Sequence, residues 1–423
     1  MSPLTRVRRT ARVAYTAARL WTLYKLPNLL RRWTGRPELE GNDLDPTHAR
    51  AAKVVLACAL SMRGVIIKTC QAIATRSDVF PPAFVDELKQ LHDAVPAKPF
   101  AEIRAAVERE LGKPLGEVFS EFDEAPLASA SLAQVHAAKL RDGREVAVKV
   151  QYPDIEEIVQ MDIRNLDRVC RIYERFDPQP LELLPLLTEL TTHTGYELDF
   201  LREGRSADRV REFFAADGNV VVPEIVNEWS TQRVLVMQKV GGIKITDVAA
   251  LEAAGLDPAD VVQHLMHVFV RMIMAEGFFQ ADPHPGNLFV TPEGKLVVLD
   301  FGLAKELPEG FGLGLFELMF SMMTQNESAM IRAFGELGFE TKTGDTETYV
   351  GIARRMLRRS DSGRFEGEFT EEMTDELFEA VRENPVVTVP SDFVLVGRTF
   401  GLLAGIAHTL GHRANVLQAM GGG

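Results

Sequence analysis

The sequence predicts an α+β fold in which a strand-rich lobe precedes a helix-rich lobe. Two stretches carry the prediction. From Gly116 onward, short alternating apolar runs are joined by Arg141-Asp142-Gly143, a hairpin signal. Beyond residue 257 helical periodicity takes over, interrupted only by two brief apolar runs around Thr291-Pro292-Glu293-Gly294. At 423 residues and 46% hydrophobic content, the chain is long enough to bury a substantial core.

The first 36 residues hold nine Arg or Lys and no acidic residue, which leaves about −22 on the remainder of a chain whose net charge is −13. An acidic body of this kind argues against nucleic acid as a partner, because phosphate neutralisation needs clustered cations. Residues 6–26 read as a basic amphipathic helix with Val13, Ala17, Leu20 and Tyr24 on one stripe, ending at Pro27. Three readings stand open for it: peripheral contact with anionic lipid through residues 6–34, with Trp21 and Trp33 at headgroup level; a helix packed on the body or frayed in solvent; or an organellar targeting segment. No run of about 18 apolar residues is present, and no signal peptide is visible. Cys58, Cys70 and Cys170 form no CxxC pair, so the expectation is a reduced, cytoplasmic protein, peripheral at most to a membrane.

Four segments follow: a basic head over 1–46, a helical extension over 47–115, a strand-rich lobe over 116–240 and a helical lobe over 241–423. Residues 47–75 read as one helix, with Pro81-Pro82 and Pro96 punctuating a further helical segment. Strands are expected over Ala128–Leu140 and Glu145–Val150. Helices are expected over about 154–176 and 186–214, then strands at Val220–Val222 and Arg233–Val240. Leu288–Val290 and Lys295–Leu299 form the late hairpin. Methionines 266, 272, 274, 319, 322 and 323 read as helical core, and residues 325–420 as packing without nameable chemistry.

The chemistry concentrates in Ala281-Asp282-Pro283-His284-Pro285-Gly286-Asn287, followed after the hairpin by Leu299-Asp300-Phe301-Gly302. Phosphoryl transfer from ATP needs Mg2+ on the phosphates, and an amide and a carboxylate supply suitable oxygen ligands, here Asn287 and Asp300. Asp282 stands in the D-x-x-x-x-N spacing of a kinase catalytic loop, beside the attacking hydroxyl or water. His284 could touch phosphate or merely hold the turn. Val146-Ala147-Val148-Lys149 ends a strand in a lysine suited to the α- and β-phosphates, and among Glu197, Asp199 and Glu203 the last is assigned as its carboxylate partner. Where a protein kinase has a glycine-rich turn, this chain reads Ala128-Ser129-Ala130-Ser131-Leu132-Ala133-Gln134, which predicts a stiffer lip over ATP or ADP.

On these motifs the chain resembles the UbiB/AarF family of atypical kinases, over roughly residues 50–320. The resemblance implies a two-lobed protein-kinase-like fold whose helical N-terminal extension covers the nucleotide cleft. It also implies that Glu197-Leu198-Asp199 is the family's E-x-D pair, and that Lys68-Thr69-Cys70-Gln71 is its K-x-G-Q motif with cysteine in place of glycine. Lys68, Gln71, Glu197 and Asp199, with Ala128, Ser129, Ala130, Ser131 and Gln134, are thereby expected to line the nucleotide pocket. The implied activity is ATP hydrolysis or phosphate transfer in support of lipid or quinone metabolism, with a lipid or quinone precursor as ligand. The alternatives are an orthodox protein or small-molecule kinase and a nucleotide-sensing scaffold.

Overall fold

The computed structural model describes residues 3–37, 39, 41–62, 64–74, 80–92, 97–176, 183–341, 387–388 and 390–421. Pro96 and residues 342–386 of the presumed packing segment lie outside them. The chain divides into two compact units, Met1–Leu201 with Val226–Gln238, and Arg202–Ile225 with Lys239–Gly423. Its helices begin with α1 (Pro3–Trp33), α2 (Asp45–Met62), α3 (Val65–Ala74), α4 (Pro82–Leu88), α5 (Phe100–Leu111) and α6 (Leu115–Val118). Strands β1 (Phe119–Ser129), β2 (Ala133–Leu140) and β3 (Glu145–Gln151) come next, then α7 (Ile155–Phe176), α8 (Leu183–Glu197) and α9 (Phe200–Phe213). Strands β4 (Val220–Val221), β5 (Val234–Gln238) and β6 (Ile243–Lys244) lead to α10 (Val248–Ala253) and α11 (Pro258–Val270). The remainder is β7 (Phe278–Gln280), β8 (Leu288–Val290), β9 (Leu296–Val298), β10 (Ala304–Glu306), α12 (Phe311–Met323), α13 (Glu327–Glu336), β11 (Glu340–Thr341), β12 (Val387–Thr388), α14 (Ser391–Thr409) and α15 (Val416–Gly421).

In the first unit β1, β2, β3 and β5 form an antiparallel sheet in that order. Successive side chains of a strand point to opposite faces. Val146, Val148 and Val150 of β3 are therefore buried together, against a core that also takes in Ile103 and Val107 of α5, while Lys149 belongs to the opposite face. In the second unit a sheet of order β4-β9-β8-β6 stands beside the separate pair β7–β10. A π-helical turn, Arg271–Ala275, ends α11 just before β7. Gly312 of α12 sits against it so closely that an added Cβ would lie 2.2 Å from the Met274 carbonyl oxygen, so only glycine fits there.

Four expectations change. The first helix does not stop at Pro27 but runs to Trp33. Proline removes one backbone donor, and the turns beyond it are pinned by a reciprocal clamp in which Asn28 accepts from Leu39 N–H and donates to Leu39 O. The single helix expected over 47–75 is two, α2 and α3, separated at Gly64, which takes φ +64°, with residues 63 and 75 outside the described residues. The first strand starts at Phe119; three register shifts along β1 spoil the alternation that would have announced it, and the run after it breaks again between Ser129 and Ala133. The 186–214 pattern is interrupted at Leu198-Asp199, because Gln151 on β3 donates to Leu198 O and Phe200 N–H donates to Gln232 O.

The sequence-predicted stripe of α1 packs inward, as the second of its three readings required. Val13 is buried, and Tyr24 bonds His48 at 2.7 Å. Burial pushes the Tyr24 hydroxyl up to about 12. Arg9 donates to both oxygens of Asp162 on α7, one at 3.1 Å, and to Met62 O at 2.7 Å. The Asp162 carboxylate is fully buried; its desolvation raises its pKa, and the Arg9 guanidinium works against that. Removing one partner of such a pair strands a buried charge. Arg9→Ala is therefore expected to lower unfolding free energy in denaturant by about 3 kcal/mol, whereas Arg8→Ala, at an exposed position of the same helix, leaves it unchanged within about 0.5 kcal/mol.

Candidate active site

In the second unit the Asp282–Asn287 loop and the Asp300-Phe301-Gly302 segment are held by two antiparallel pairings. On one side β7 pairs with β10, Gln280 opposite Ala304, and Ala281 N–H donates to Leu303 O at 2.9 Å. On the other β8 pairs with β9, and Leu299 N–H donates to Asn287 O at 3.0 Å. The hairpin register thus brings Asn287 opposite Leu299, one residue from Asp300. The hairpin itself forms where the sequence placed it, closed by Thr291 and Lys295 with Gly294 at φ +83°.

Inside the loop, His284 holds the turn: its Nδ1 accepts from Gly286 N–H at 3.1 Å, and its own N–H donates to Asp282 O at 2.7 Å. Gln280, buried, donates to the same Asp282 carbonyl at 2.6 Å. Asp300 Oδ1 accepts from Gly302 N–H at 2.9 Å, which orients the carboxylate, and Phe301 is buried as its anchor. Glu203 on α9 belongs to this unit and is buried.

Two arginines enter that the sequence reading left out. Arg202 on α9 donates to Gly302 O at 3.2 Å and Ala304 O at 2.7 Å, fixing the chain directly after Asp300-Phe301-Gly302. Arg398 on α14 stands 3.6 Å from Asp282 Oδ1, and its neighbour Thr399, fully buried, donates to Ala281 O at 3.3 Å. The stretch read as packing without chemistry therefore supports the loop at two consecutive residues. Its signal was a lone arginine inside the otherwise apolar run 393–406.

In the first unit Lys149 lies with its ammonium 5.2 Å from the centre of the Phe200 ring, a cation–π contact worth about 0.5–2 kcal/mol. Gln151, two residues along β3, ties the E-x-D link to the same strand through Leu198 O at 2.7 Å. Lys68 of α3 and Glu197 of that pair meet as an ion pair at 2.6 Å, each mostly buried. Asp199 stands two residues further on, its N–H donating to Tyr196 O. The structure therefore brings together two residues that the resemblance had only placed in the same pocket.

Two other residues expected at the pocket are engaged by bonds within the first unit. Gln71 donates its amide to Leu91 O at 3.0 Å. Gln134 is buried with both ends engaged: its oxygen accepts from Lys98 N–H at 2.9 Å, and its nitrogen meets His136 Nε2 at 2.8 Å. The other ring nitrogen, Nδ1, faces Asp123 O and must carry the proton, so Nε2 accepts from Gln134. Gln134 is an internal tether of the strand, because its period-two position points it inward. Ala128 and Ser129 end β1, opposite Val135 and Gln134, and Ala130 and Ser131 enter the turn into β2, closed by Ala130 N–H to Ala133 O at 2.8 Å. None of these four residues adopts positive φ, so the turn needs no glycine.

Cys70 is buried on α3, and desolvation, with Cys58 nearby, pushes its thiol up to about 12. A cavity of about 610 Å3 in the second unit, lined among others by Asp260, His264, His267 and Arg271, contains none of the motif residues. Among the described residues no three His, Cys, Asp or Glu side chains converge as a metal site. The register sets the amide of Asn287 and the carboxylate of Asp300 on residues one apart across the hairpin, and oxygen donors of this kind fit Mg2+, which takes one or two protein oxygens and completes its shell with phosphate and water.

A lysine-bearing strand, an acid-and-amide loop and an Asp-Phe-Gly segment on this α+β frame define a protein-kinase-like chain. More particularly, it belongs to the ABC1 atypical kinase-like family, whose domain model matches residues 90–334. It is 31% identical to AarF domain-containing protein kinase 1 of Xenopus laevis over 94% of this chain and 78% of that protein. It is 33% identical to the chloroplastic protein Activity of bc1 complex kinase 3 of Arabidopsis thaliana over 81% of this chain, and spans 48% of that protein's length. In fold it is similar to Rv3197 of Mycobacterium tuberculosis, solved with erythromycin, at a TM-score of 0.62 and 21% identity over 88% of this chain and 94% of that one.

Burial and the raised thiol pKa predict that Cys70 stays inert toward a thiol-reactive disulfide in the folded protein at pH 8, and Cys170, pushed up to about 11, reacts slowly. A spectrophotometric titration should reach all three thiols only in denaturant.

Proposed function

We propose that this chain is an atypical kinase that binds Mg2+–ATP and hydrolyses it or transfers its phosphate in support of lipid or quinone metabolism, peripheral to a membrane. The observation that carries the reading is the hairpin register that sets Asn287 one residue from Asp300, directly after the Asp282 loop. When bound, Mg2+ would neutralise charge on the phosphate oxygens. Asn287 and Asp300 would hold it, and Asp282 would orient the attacking hydroxyl or water. Lys149 would hold the α- and β-phosphates, with Glu203 as its carboxylate partner. The turn Ala128–Ser131 would border the nucleotide, and the Lys68–Glu197 pair, with Asp199, would fix the extension beside it. The names of the relatives support the phosphotransferase class; lipid or quinone chemistry rests on the family resemblance alone.

One observation favours a second reading, a nucleotide-sensing scaffold. Arg398 faces the carboxylate expected to act as base, so Asp282 could be restrained instead of poised.

Purified protein is expected to hydrolyse ATP only with Mg2+, and Asp300→Asn to lose at least about a hundredfold, since even outer-shell changes at metal sites cost tenfold to a hundredfold. Nucleotide binding without turnover in the parent protein would overturn the enzymatic reading. Arg398→Ala is expected to lower kcat about tenfold with little change in KM for ATP, and Arg398→Lys to recover part of it. A rise in kcat would identify Arg398 as a restraint and favour the scaffold.

A further inference from the structure

With one face of α1 committed to the body, the opposite face follows from helical spacing. Leu4, Val7, Ala11, Tyr15, Ala18, Thr22, Leu26, Leu29 and Trp33 recur every three or four residues and trace one continuous stripe. All nine are exposed, Trp33 at 91%, Leu4 at 81% and Val7 at 68%. Eight of the nine are apolar, and exposed Arg8, Arg12 and Arg19 line one edge of the stripe. Trp21 and Leu30 flank it, also exposed. This is a different face from the inward stripe of Val13 and Tyr24, and the helix is apolar on both sides.

We infer that this outer face of α1 docks in the plane of an anionic lipid bilayer, with the stripe sunk into the headgroup and acyl boundary and the arginines on lipid phosphates. The inference deepens the membrane-peripheral part of the proposed function and needs no nucleotide chemistry. Charge complementarity selects the occupant. Residues 1–36 carry nine cations and no acid, so a second copy of the helix laid on this face would oppose like charges along its whole length. An anionic surface meets the same cations favourably, and a bilayer interface accepts tryptophan, tyrosine and leucine side by side. No described helix is long and apolar enough to cross a membrane, and α1, 31 residues long, suits lying along its surface.

Co-sedimentation of the full chain with vesicles of phosphatidylcholine, with and without phosphatidylglycerol, tests this in the absence of nucleotide. Binding is expected to be at least about tenfold stronger with phosphatidylglycerol and to weaken as salt rises. Leu29→Glu with Trp33→Glu, and separately Arg8→Glu with Arg12→Glu and Arg19→Glu, should each lose at least about tenfold in partitioning without a change in melting temperature. Leu313→Glu, at an exposed apolar position on α12, should bind as the parent does. Equal binding to both vesicle types, unchanged binding by the α1 variants, or a parent dimer that the Leu29 and Trp33 changes dissociate would each overturn the assignment. Asp300→Asn, inactive under the proposed function, should bind vesicles like the parent, which separates failure of docking from failure of the kinase reading.

Discussion

The chemistry proposed for the second unit depends on backbone closure. Catalytic carboxylates are useful only if their separation is fixed, and side chains on an unpaired loop cannot fix it. Here the loop from Ala281 to Asn287 and the segment from Leu299 to Leu303 are joined at both ends, by Ala281 to Leu303 and by Leu299 to Asn287. Everything else at the site tightens that frame. Gln280 and His284 fold the loop onto the Asp282 carbonyl, Arg202 takes the carbonyls beyond Phe301, and Thr399 takes that of Ala281. The π turn that ends α11 and the glycine contact of α12 set where β7 begins.

The first unit solves a comparable problem with charge. Its basic head is fastened by an arginine buried on the carboxylate of Asp162, and its extension by a lysine on Glu197. Both pairs sit where solvent is largely excluded, so removing one partner would strand the other's charge in a poorly solvated place. The E-x-D motif breaks a helix that periodicity alone would continue, because Gln151 takes its middle carbonyl. That break seats Phe200 beside Lys149.

What was legible in the sequence was whatever depends on local periodicity and spacing. The hairpin of β8 and β9, the strand that ends in Lys149 and the order of the motif residues could all be read from neighbours in the chain. Residues joined across long separations were harder. Arg398 is 116 positions from Asp282, and nothing local distinguishes it from any charge in a helix except its apolar surroundings. β1 was obscured by its bulges, and the inward tether of Gln134 could be inferred only once its strand's face was known. Helix α1 misled in another way. Its inner stripe was recognised, but apolar residues on both sides mean that a single amphipathic reading describes half of it.

The alanine-rich turn between β1 and β2 has a thermodynamic consequence. A glycine-rich lip is soft in the free protein and must surrender its freedom when a ligand orders it. Here the backbone from Ala128 to Ser131 already lies in the ordinary left half of conformational space, closed by its own hydrogen bond. Under the proposed function, the ordering cost has been met during folding, before any nucleotide arrives. Such a rim selects its ligand by fit to a standing shape, and it discriminates among nucleotides chiefly through what they fail to match.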